Sequence, residues 1–253
     1  MIADKHLHTH FSTDSEEEPE NVIKRAIELK MDEICITDHY DIDMPGGGFI
    51  FDPDRYFETM TRLKEKYKDV INVCIGVEIG LEERVSAKVD RLVKAYPWEY
   101  KIGSIHLVDG KDPYHRNQFD MSDEEFYRRY FQCSLEGIRS CDGFDTFGHL
   151  DYVLRYGYKK DEEYSYEKNA DLIDEILSEL IKRDIALEIN TAGLRKGLKY
   201  PHPYPETLKR YKELGGKKLV FGSDAHQAQD IGADFDEALD YVKKYGFDEG
   251  LLQ

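Results

Sequence analysis

Two pairs of potential metal ligands lie near the two ends of the chain. His6 and His8 are separated by one residue in a segment that we predict to be a β-strand. Because alternate side chains of a strand project to the same face, the two imidazoles point together, and imidazole is a common ligand of zinc, iron and manganese. Asp224 and His226 have the same spacing after an apolar segment. Together the pairs predict a metal site that joins the two ends of the chain.

Further potential ligands follow other predicted strands. Each stands directly after a short apolar segment, and they are His39, Glu78, His106 and His149. Alone, each has an ordinary interpretation, either a buried histidine bonded to a carbonyl or a carboxylate at a helix start. The same placement at six predicted strand ends is not expected by chance. His10, His115 and His202 lack that placement, and we interpret them as ordinary structural or surface histidines.

Seven predicted strand–helix units position these residues. The intervening segments carry apolar residues at helical spacing, as in residues 18–30 and 234–245. Strands separated by helices of this length form a parallel sheet, either open or closed into a barrel. A barrel brings all its carboxyl-terminal strand ends around one axis, whereas the edge strands of an open sheet lie far from its site. We therefore predict a seven-stranded parallel α/β barrel.

Composition restricts the class of protein. The 253 residues fit one barrel and contain no Pro- or Ser-rich linker, so a single domain is expected over residues 1–253. The formal net charge of −17 argues against nucleic acid and anionic membranes as partners. The four cysteines lack Cys-x-x-Cys spacing, which predicts free thiols in a reducing compartment. With no apolar segment of membrane-spanning length, a soluble cytoplasmic protein is expected, and its oligomeric state is left open.

The combined motifs resemble those of the PHP (polymerase and histidinol phosphatase) family of phosphoesterases. The matching segments extend over essentially the whole chain and are Asp4-x-His6-x-His8, Thr37-Asp38-His39, the strand-terminal Glu78, Ser104-Ile105-His106, Gly148-His149-Leu150-Asp151 and Ser223-Asp224-Ala225-His226. The resemblance implies a distorted (β/α)7 barrel that holds three divalent metal ions of zinc, iron or manganese type.

The resemblance also divides the ligands among the three ions, two of which share the carboxylate of Glu78. The first site would comprise His6, His8, Glu78 and Asp224, the second Glu78, His106 and His149, and the third Asp14, His39 and His226. Many family members carry histidine where this chain has Asp14. That departure keeps an oxygen ligand at the third site.

Such a ligand set supports hydrolysis of a phosphate ester. Two cations bridged by one carboxylate can generate a hydroxide at neutral pH and hold it in line with phosphorus, while neutralising charge on the phosphoryl oxygens. Asp224 or His226 is the candidate proton donor to the leaving alkoxide, so both join Glu78 as expected catalytic residues. The candidates for binding the substrate are Arg155, Arg195 and His39.

L-Histidinol phosphate, an intermediate of histidine biosynthesis, is the first substrate hypothesis, because the loop 190–197 and the chain length resemble the stand-alone histidinol phosphatases of the family. The alternatives are another small phosphate ester, a phosphodiester or phosphotyrosine, and a metal-dependent amide hydrolase. The last class commonly bridges its metals through a modified lysine, where this chain has Glu78. Because histidinol phosphate carries an amine, we expect a carboxylate near the metals, with Asp41 or Asp43 as the candidate.

Overall fold

Parallel strands alternate with helices along residues 3–247, the part of the chain that this computed structural model describes. The strands are β1 Ala3–Leu7, β2 Glu33–Ile36, β3 His39–Tyr40, β4 Asn72–Gly80, β5 Tyr100–Ser104, β6 Thr146–Phe147, β7 Ala186–Asn190 and β8 Leu219–Gly222. The α-helices are α1 Pro19–Glu28, α2 Pro53–Tyr67, α3 Ser86–Ala95, α4 Asp123–Ser140, α5 Ala170–Lys182, α6 Ala192–Arg195, α7 Pro205–Glu213 and α8 Phe235–Lys244. The predicted first strand began at Ile2, which lies outside the described residues.

The sheet closes into a barrel with seven strand positions. The strands follow the order β1-β2-β4-β5-β6-β7-β8, and every pairing is parallel. Between the two ends of this order, the backbone N–H of Asp224 donates to the oxygen of His6 at 2.9 Å, and that of His8 donates to the oxygen of Ala225 at 2.9 Å. The predicted seven-stranded α/β barrel is confirmed, and the two predicted ligand pairs meet at its closing seam.

The second strand position is interrupted, which the sequence pattern did not predict. The pairing of β2 with β4 ends at Ile36 and Ile75, and β3 pairs with β4 again from His39 and Glu78. In the gap, the Asp38 carboxylate accepts hydrogen bonds from the backbone N–H groups of Thr9 and Ser12, at 2.6 and 3.1 Å, and from both hydroxyls. The break therefore directs one carboxylate towards the loop after β1, which carries part of the site.

Local sequence signals explain several helix boundaries. Asp52 caps α2 by accepting from the N–H of Asp54 at 3.0 Å, and Pro53 occupies the first helical position. Ser122 and Glu125 form the predicted capping box at the start of α4. The predicted helix from residue 82 instead begins with a 3-10 turn, and α6 forms in the segment 190–197 that was expected to be a loop.

Two expectations from composition can be compared with the described residues. All four cysteines are free thiols, as predicted. No helix in residues 3–247 combines the length and apolar character that a membrane crossing requires. The single-domain assignment of residues 1–253 remains a prediction.

Candidate metal centre

Glu78 lies at the centre of a cluster of histidines at the carboxyl-terminal end of the barrel and is completely buried. Its two oxygens face different imidazoles. Oε2 lies 3.1 Å from Nε2 of His6 and 3.6 Å from Nε2 of His8. Oε1 lies 3.2 Å from Nε2 of His106 and 3.0 Å from Nε2 of His149. Oε2 also lies 2.9 Å from Nδ1 of His39. One carboxylate thus faces three nitrogen atoms on one side and two on the other, which is the geometry of a ligand shared by two cations.

Asp224 completes the first group and lies in the left-handed region of backbone space, with φ of 54°. An aspartate tolerates this conformation better than most residues, and such strain is common at functional sites. Its Oδ1 lies 3.5 Å from Nε2 of His8 and 3.6 Å from Nδ1 of His226. The turn therefore directs the carboxylate into the cluster.

A third group lies at the outer side of the cluster. Nε2 of His226 is 3.1 Å and Nε2 of His39 is 3.7 Å from Oδ2 of Asp14. The ring of His8 stacks against the rings of both His39 and His226, with centroid separations of 4.2 and 4.1 Å. Burial opposes ionisation of Asp14, but the hydrogen bond from His226 and the charge of His39 keep its pKa below the ordinary range. All nine predicted metal ligands are therefore brought together, while their role as ligands remains a prediction.

Potential ligand atoms fall into compact sets of three, within 4.8 Å of one another. The sets are His6, His8 and Asp224; Glu78, His106 and His149; His8, His39 and His226; and His39, Asp41 and His106. Two of them agree with the division implied by the family resemblance, and a third set joins His39 and His226 to His8 where the resemblance has Asp14. The fourth contains Asp41, which the sequence analysis did not consider as a ligand.

The donor atoms fit a metal centre because several are buried without a hydrogen bond. Among the described residues, no acceptable hydrogen bond reaches Nε2 of His6, Nε2 of His8, Nδ1 of His39 or Oε2 of Glu78. Buried polar atoms without partners are rare in folded proteins and costly. Imidazole nitrogens and carboxylate oxygens at this spacing are ligands suited to zinc, iron and manganese.

Hydrogen bonds on the outer side of the imidazoles leave their inner nitrogens as ligands. Nδ1 of His6 lies 2.6 Å from Oε1 of Glu188, and Nδ1 of His106 lies 2.9 Å from Oδ2 of Asp41. A carboxylate only accepts, so each Nδ1 carries a hydrogen, and each Nε2 faces Glu78, where it can offer a lone pair to a cation once its own proton has left. Carboxylates in this position orient metal-binding histidines and raise their basicity.

His8 obtains the same tautomer through a hydroxyl. The hydroxyl of Ser12 donates to Asp38 at 2.7 Å, so its oxygen accepts from Nδ1 of His8 at 3.0 Å. Nδ1 of His226 likewise donates to the backbone oxygen of Asp224, at 3.1 Å. Nε2 of each histidine therefore faces a carboxylate of the cluster, Asp224 for His8 and Asp14 for His226.

Proton affinities in the cluster depend on its carboxylates. Burial opposes the protonation of His6, but the charges of Glu78 and Glu188 raise its pKa well above the ordinary value. The charge of Glu78 likewise outweighs burial at His39 and raises the pKa of that imidazole to about 9. At His8, burial and the charges of neighbouring histidines lower the pKa well below the ordinary value. The metal-free cluster therefore holds protons where cations would bind.

Asp41 and Asp43 do not have the role expected from the sequence. Asp41 is buried and bonded to His106, so its carboxylate does not face the substrate cavity. Asp43 forms an ion pair with Lys88 at 2.6 Å on another surface. This geometry contradicts the expectation that either residue binds the substrate amine. The prediction failed because the spacing of acidic residues does not show in which direction each side chain of a loop points.

Glu188 was missed by the sequence analysis. It is a single charged residue within the buried strand β7, and that isolated charge is the signal that could have identified it. The opposing glycine makes room for it: a Cβ added at Gly222 would lie 2.3 Å from Oε1 of Glu188 and 2.5 Å from Cβ of His6. Only glycine at this position permits the Glu188–His6 contact.

A cavity of about 500 Å³ opens above the cluster. Its lining includes the three residues predicted to bind substrate, which are His39, Arg155 and Arg195. Arg195 is partly exposed and hydrogen-bonded to the backbone oxygen of Ser223. Lys196, Tyr156 and Asp230 also line the cavity and were not singled out from the sequence.

The three histidines that lack strand-end placement have different surroundings. His10 lies 3.4 Å from the carboxylate of Glu18. His115 is exposed in the loop before α4. His202 is completely buried beside Arg155, a contact that its position in the sequence did not indicate.

A parallel α/β barrel whose strand ends carry this set of imidazoles and carboxylates has the architecture of a metal-dependent hydrolase. The chain belongs to the PHP family: the model described as "PHP domain" matches residues 4–192. The family expected from the sequence motifs is therefore confirmed.

Relatives and solved structures agree with this assignment. A histidinol-phosphatase from Lactococcus lactis is 35% identical over 97% of this chain and 92% of its own length. A protein from Clostridium acetobutylicum, named as a probable histidinol-phosphatase, is 38% identical over 94% of this chain and 92% of its own length. The crystal structure of the L. lactis histidinol phosphate phosphatase, complexed with zinc, L-histidinol and phosphate, superposes with a TM-score of 0.89 at 33% identity, covering 98% of this chain and 94% of that chain.

Proposed function

We propose that this chain is a metal-dependent phosphomonoesterase that hydrolyses L-histidinol phosphate to histidinol and phosphate. The observation that carries the proposal is the position of Glu78, whose two oxygens face two sets of histidines directly below a cavity lined by arginines. The full-length similarity to a histidinol phosphate phosphatase solved with zinc, L-histidinol and phosphate supports the choice of substrate.

Three divalent ions, zinc foremost, would be held by the groups described above. The first two would share Glu78, and the third would lie between Asp14, His39 and His226. When bound, these cations supply charge neutralisation for the phosphoryl oxygens and lower the pKa of an attacking water.

The side chains of the cavity divide the remaining tasks. Arg155 and Arg195 offer fixed N–H donors to the phosphate oxygens, since a guanidinium matches the geometry of a phosphate. Burial opposes ionisation of Asp224, but the neighbouring His8 and the charges of His6 and Arg155 hold its pKa well below the ordinary range. Its carboxylate is therefore ionised at neutral pH. Asp224 and His226 both line the cavity, and one of them would accept the proton of the attacking water and return it to the leaving alkoxide.

Asp230 is the candidate partner for the amine of the leaving group. It lines the same cavity, and its carboxylate makes no hydrogen bond or ion pair with residues 3–247. Tyr156 lines the cavity too and offers an aromatic face to the imidazole of histidinol. The two ends of the proposed substrate thus meet surfaces of opposite character, with cations at the phosphate end and a carboxylate at the amine end.

The test is a kinetic comparison of phosphate esters with metal content measured on the same sample. We expect two or three zinc, iron or manganese ions per chain, loss of activity on chelation, and a higher kcat/KM for L-histidinol phosphate than for p-nitrophenyl phosphate or phosphotyrosine. Preference for the neutral aryl ester would contradict the substrate. Full activity with less than one metal ion per chain would contradict the metal-dependent mechanism.

A further inference from the structure

A buried histidine outside the metal centre contacts the cavity arginine. The Nε–H of Arg155 donates to Nε2 of His202 at 2.8 Å. On the other side of the ring, Nδ1 of His202 is hydrogen-bonded to Oδ1 of Asp151. The side chains of His202 and Asp151 have no exposed surface, so water does not compete for these contacts.

The partner on each side determines the tautomer of His202. A guanidinium remains protonated in proteins, so the Nε of Arg155 can only donate. Nε2 of His202 must therefore accept, and the ring hydrogen lies on Nδ1, where it is donated to Asp151. Burial and the charge of Arg155 lower the pKa of His202 despite the opposing charge of Asp151, in agreement with a neutral ring.

The surrounding backbone holds this chain of side chains in place. The backbone N–H of Tyr204 donates to Oδ2 of Asp151, and His202 exchanges two backbone hydrogen bonds with Asn190, at 2.9 and 3.0 Å. The side-chain oxygen of Asn190 accepts from Nη2 of Arg155 at 3.2 Å. His202 and Asn190 are hydrogen-bonded to each other through their backbones, and each accepts a hydrogen bond from the guanidinium of Arg155.

The remaining contacts of Arg155 lead to the metal centre. Nη1 and Nη2 lie 3.4 Å from Oδ2 of Asp224, and the guanidinium lies 5.0 Å from the ring centroid of Tyr152. Only 4% of the Arg155 side chain is exposed. The guanidinium is therefore held in one orientation, and within residues 3–247 one N–H of Nη1 has no protein acceptor and is the donor left for a phosphate oxygen. A preorganised donor loses less entropy on binding an anion.

We propose that His202, held by Asp151, is a positioning residue that fixes Arg155 for phosphate binding. The inference rests on the proposed function for its substrate, but inorganic phosphate, the reaction product, tests it without that substrate. Residues that orient groups of a site typically contribute about 10- to 100-fold to affinity or activity. A residue that only fills the core would affect stability without this selective effect on phosphate.

The experiment compares two substitutions with opposite hydrogen-bonding capacity. His202→Leu keeps apolar volume but removes the acceptor for Arg155. His202→Gln restores an acceptor and a donor on a planar amide, so it can satisfy Arg155 and Asp151 together. His115→Gln, on the exposed loop, is the matched control. Thermal unfolding, metal content, kcat and KM for L-histidinol phosphate, and inhibition by inorganic phosphate are measured for each variant of the zinc-loaded enzyme.

We expect His202→Leu to fold with full metal content and to bind inorganic phosphate about 10- to 100-fold more weakly, mainly through a raised KM and inhibition constant. His202→Gln should recover most of this loss. In the Arg155→Ala background, His202→Leu should cause no further loss of phosphate affinity, because the group it positions is gone. If His202→Leu does not fold, His202→Gln and Asp151→Asn are compared instead. The amide introduced by Asp151→Asn can donate to Nδ1 of His202, which moves the ring hydrogen to Nε2, against Arg155. Asp151→Asn should therefore weaken phosphate binding.

Unchanged phosphate affinity in His202→Leu, or equal losses in the leucine and glutamine variants, would overturn the inference. If His202→Leu does not fold, wild-type phosphate affinity in Asp151→Asn would also overturn the inference. Additive losses in the double variant would show that His202 acts independently of Arg155. A wild-type enzyme that hydrolyses p-nitrophenyl phosphate but not histidinol phosphate would refute the proposed substrate alone, since the phosphate measurements would still decide the role of His202.

Discussion

Nδ1 of His6 lies 2.6 Å from Oε1 of Glu188, although 182 positions of sequence separate the two residues. Both side chains are buried inside the barrel, and the second oxygen of Glu188 accepts from the backbone N–H of His149 at 2.7 Å. One carboxylate therefore orients residues of two groups in the metal centre. The contact also gives His6 the tautomer in which Nε2 faces Glu78.

Glu188→Gln should weaken metal binding about 10- to 100-fold, because the amide keeps a hydrogen bond to His6 but removes the charge that raises the basicity of the ring. Chelator competition with the purified protein measures this affinity. Glu162→Gln, at an exposed position, serves as the control. Wild-type metal affinity in Glu188→Gln would mean that the charge of Glu188 does not support the centre.

Glu78→Gln should reduce turnover by more than about 100-fold, beyond the range for residues that only orient ligands. A neutral amide cannot attract two cations as a carboxylate does, so the content of bound metal should fall together with kcat. Elemental analysis and kinetics on the same preparation check both effects. Glu83→Gln, at an exposed position just after β4, should behave as wild type. Near-normal turnover in Glu78→Gln would place the reaction elsewhere.

Residues that follow strands could be placed from the sequence. Glu78 lies two residues before the end of β4, and His106 and His149 follow β5 and β6. Their positions follow from the regular alternation of strands and helices, since a parallel barrel collects its carboxyl-terminal strand ends at one face. The contact between the two ends of the chain also followed from the sequence, because the His6/His8 and Asp224/His226 pairs have the same spacing. Such predictions depend only on local periodicity and on the closure of the barrel.

Residues whose partners lie far away along the chain could not be placed. Glu188 lies within a strand, Asp41 in an irregular loop, and His202 in a connection before α7, so none has the strand-end position that identified the others. Their roles depend on which side chain faces them in three dimensions. The break between β2 and β3 was missed for the same reason, because it depends on hydrogen bonds from the loop after β1 to Asp38.

Metal binding should release protons in neutral solution. His39 has a pKa of about 9 in the metal-free fold, so it is protonated at pH 7.5 and must lose that proton to become a ligand. Because this pKa is raised above 6.5, protonated His39 stabilises the metal-free fold fully below pH 6.5, and the contribution is lost as pH rises through about 9. Metal affinity should therefore increase, and metal-free stability decrease, over this interval.

Calorimetric titration of the metal-depleted protein with zinc at pH 7.5, in two buffers of different ionisation enthalpy, measures the number of protons released. Thermal unfolding of the same sample between pH 6 and 9.5 measures the change in stability. Zinc binding without proton release would contradict the raised pKa of His39. His115→Gln serves as the control, since it removes a histidine outside the cluster.

Arg195→Ala should reduce kcat/KM for L-histidinol phosphate and for p-nitrophenyl phosphate by similar factors, about 10- to 100-fold, the value of a hydrogen bond to a charged group. The effect is common to both esters because the lost contact is to the phosphate, whatever the leaving group. Arg128→Ala, which removes an exposed arginine paired with Asp171, is the control. A loss confined to histidinol phosphate would move Arg195 to the leaving-group end of the cavity.

Asp230→Asn should separate the two esters. The substitution removes the negative charge from a side chain of nearly the same shape, so the ammonium of histidinol phosphate loses its partner while the neutral p-nitrophenyl group loses nothing. We expect kcat/KM for histidinol phosphate to fall about tenfold, as for one hydrogen bond between charged groups, with little change for the aryl ester. Asp236→Asn, an exposed aspartate near the start of α8, is the matched control. Equal losses for both esters would place Asp230 at the phosphate or metal end, and no loss for either would assign the amine to another acceptor.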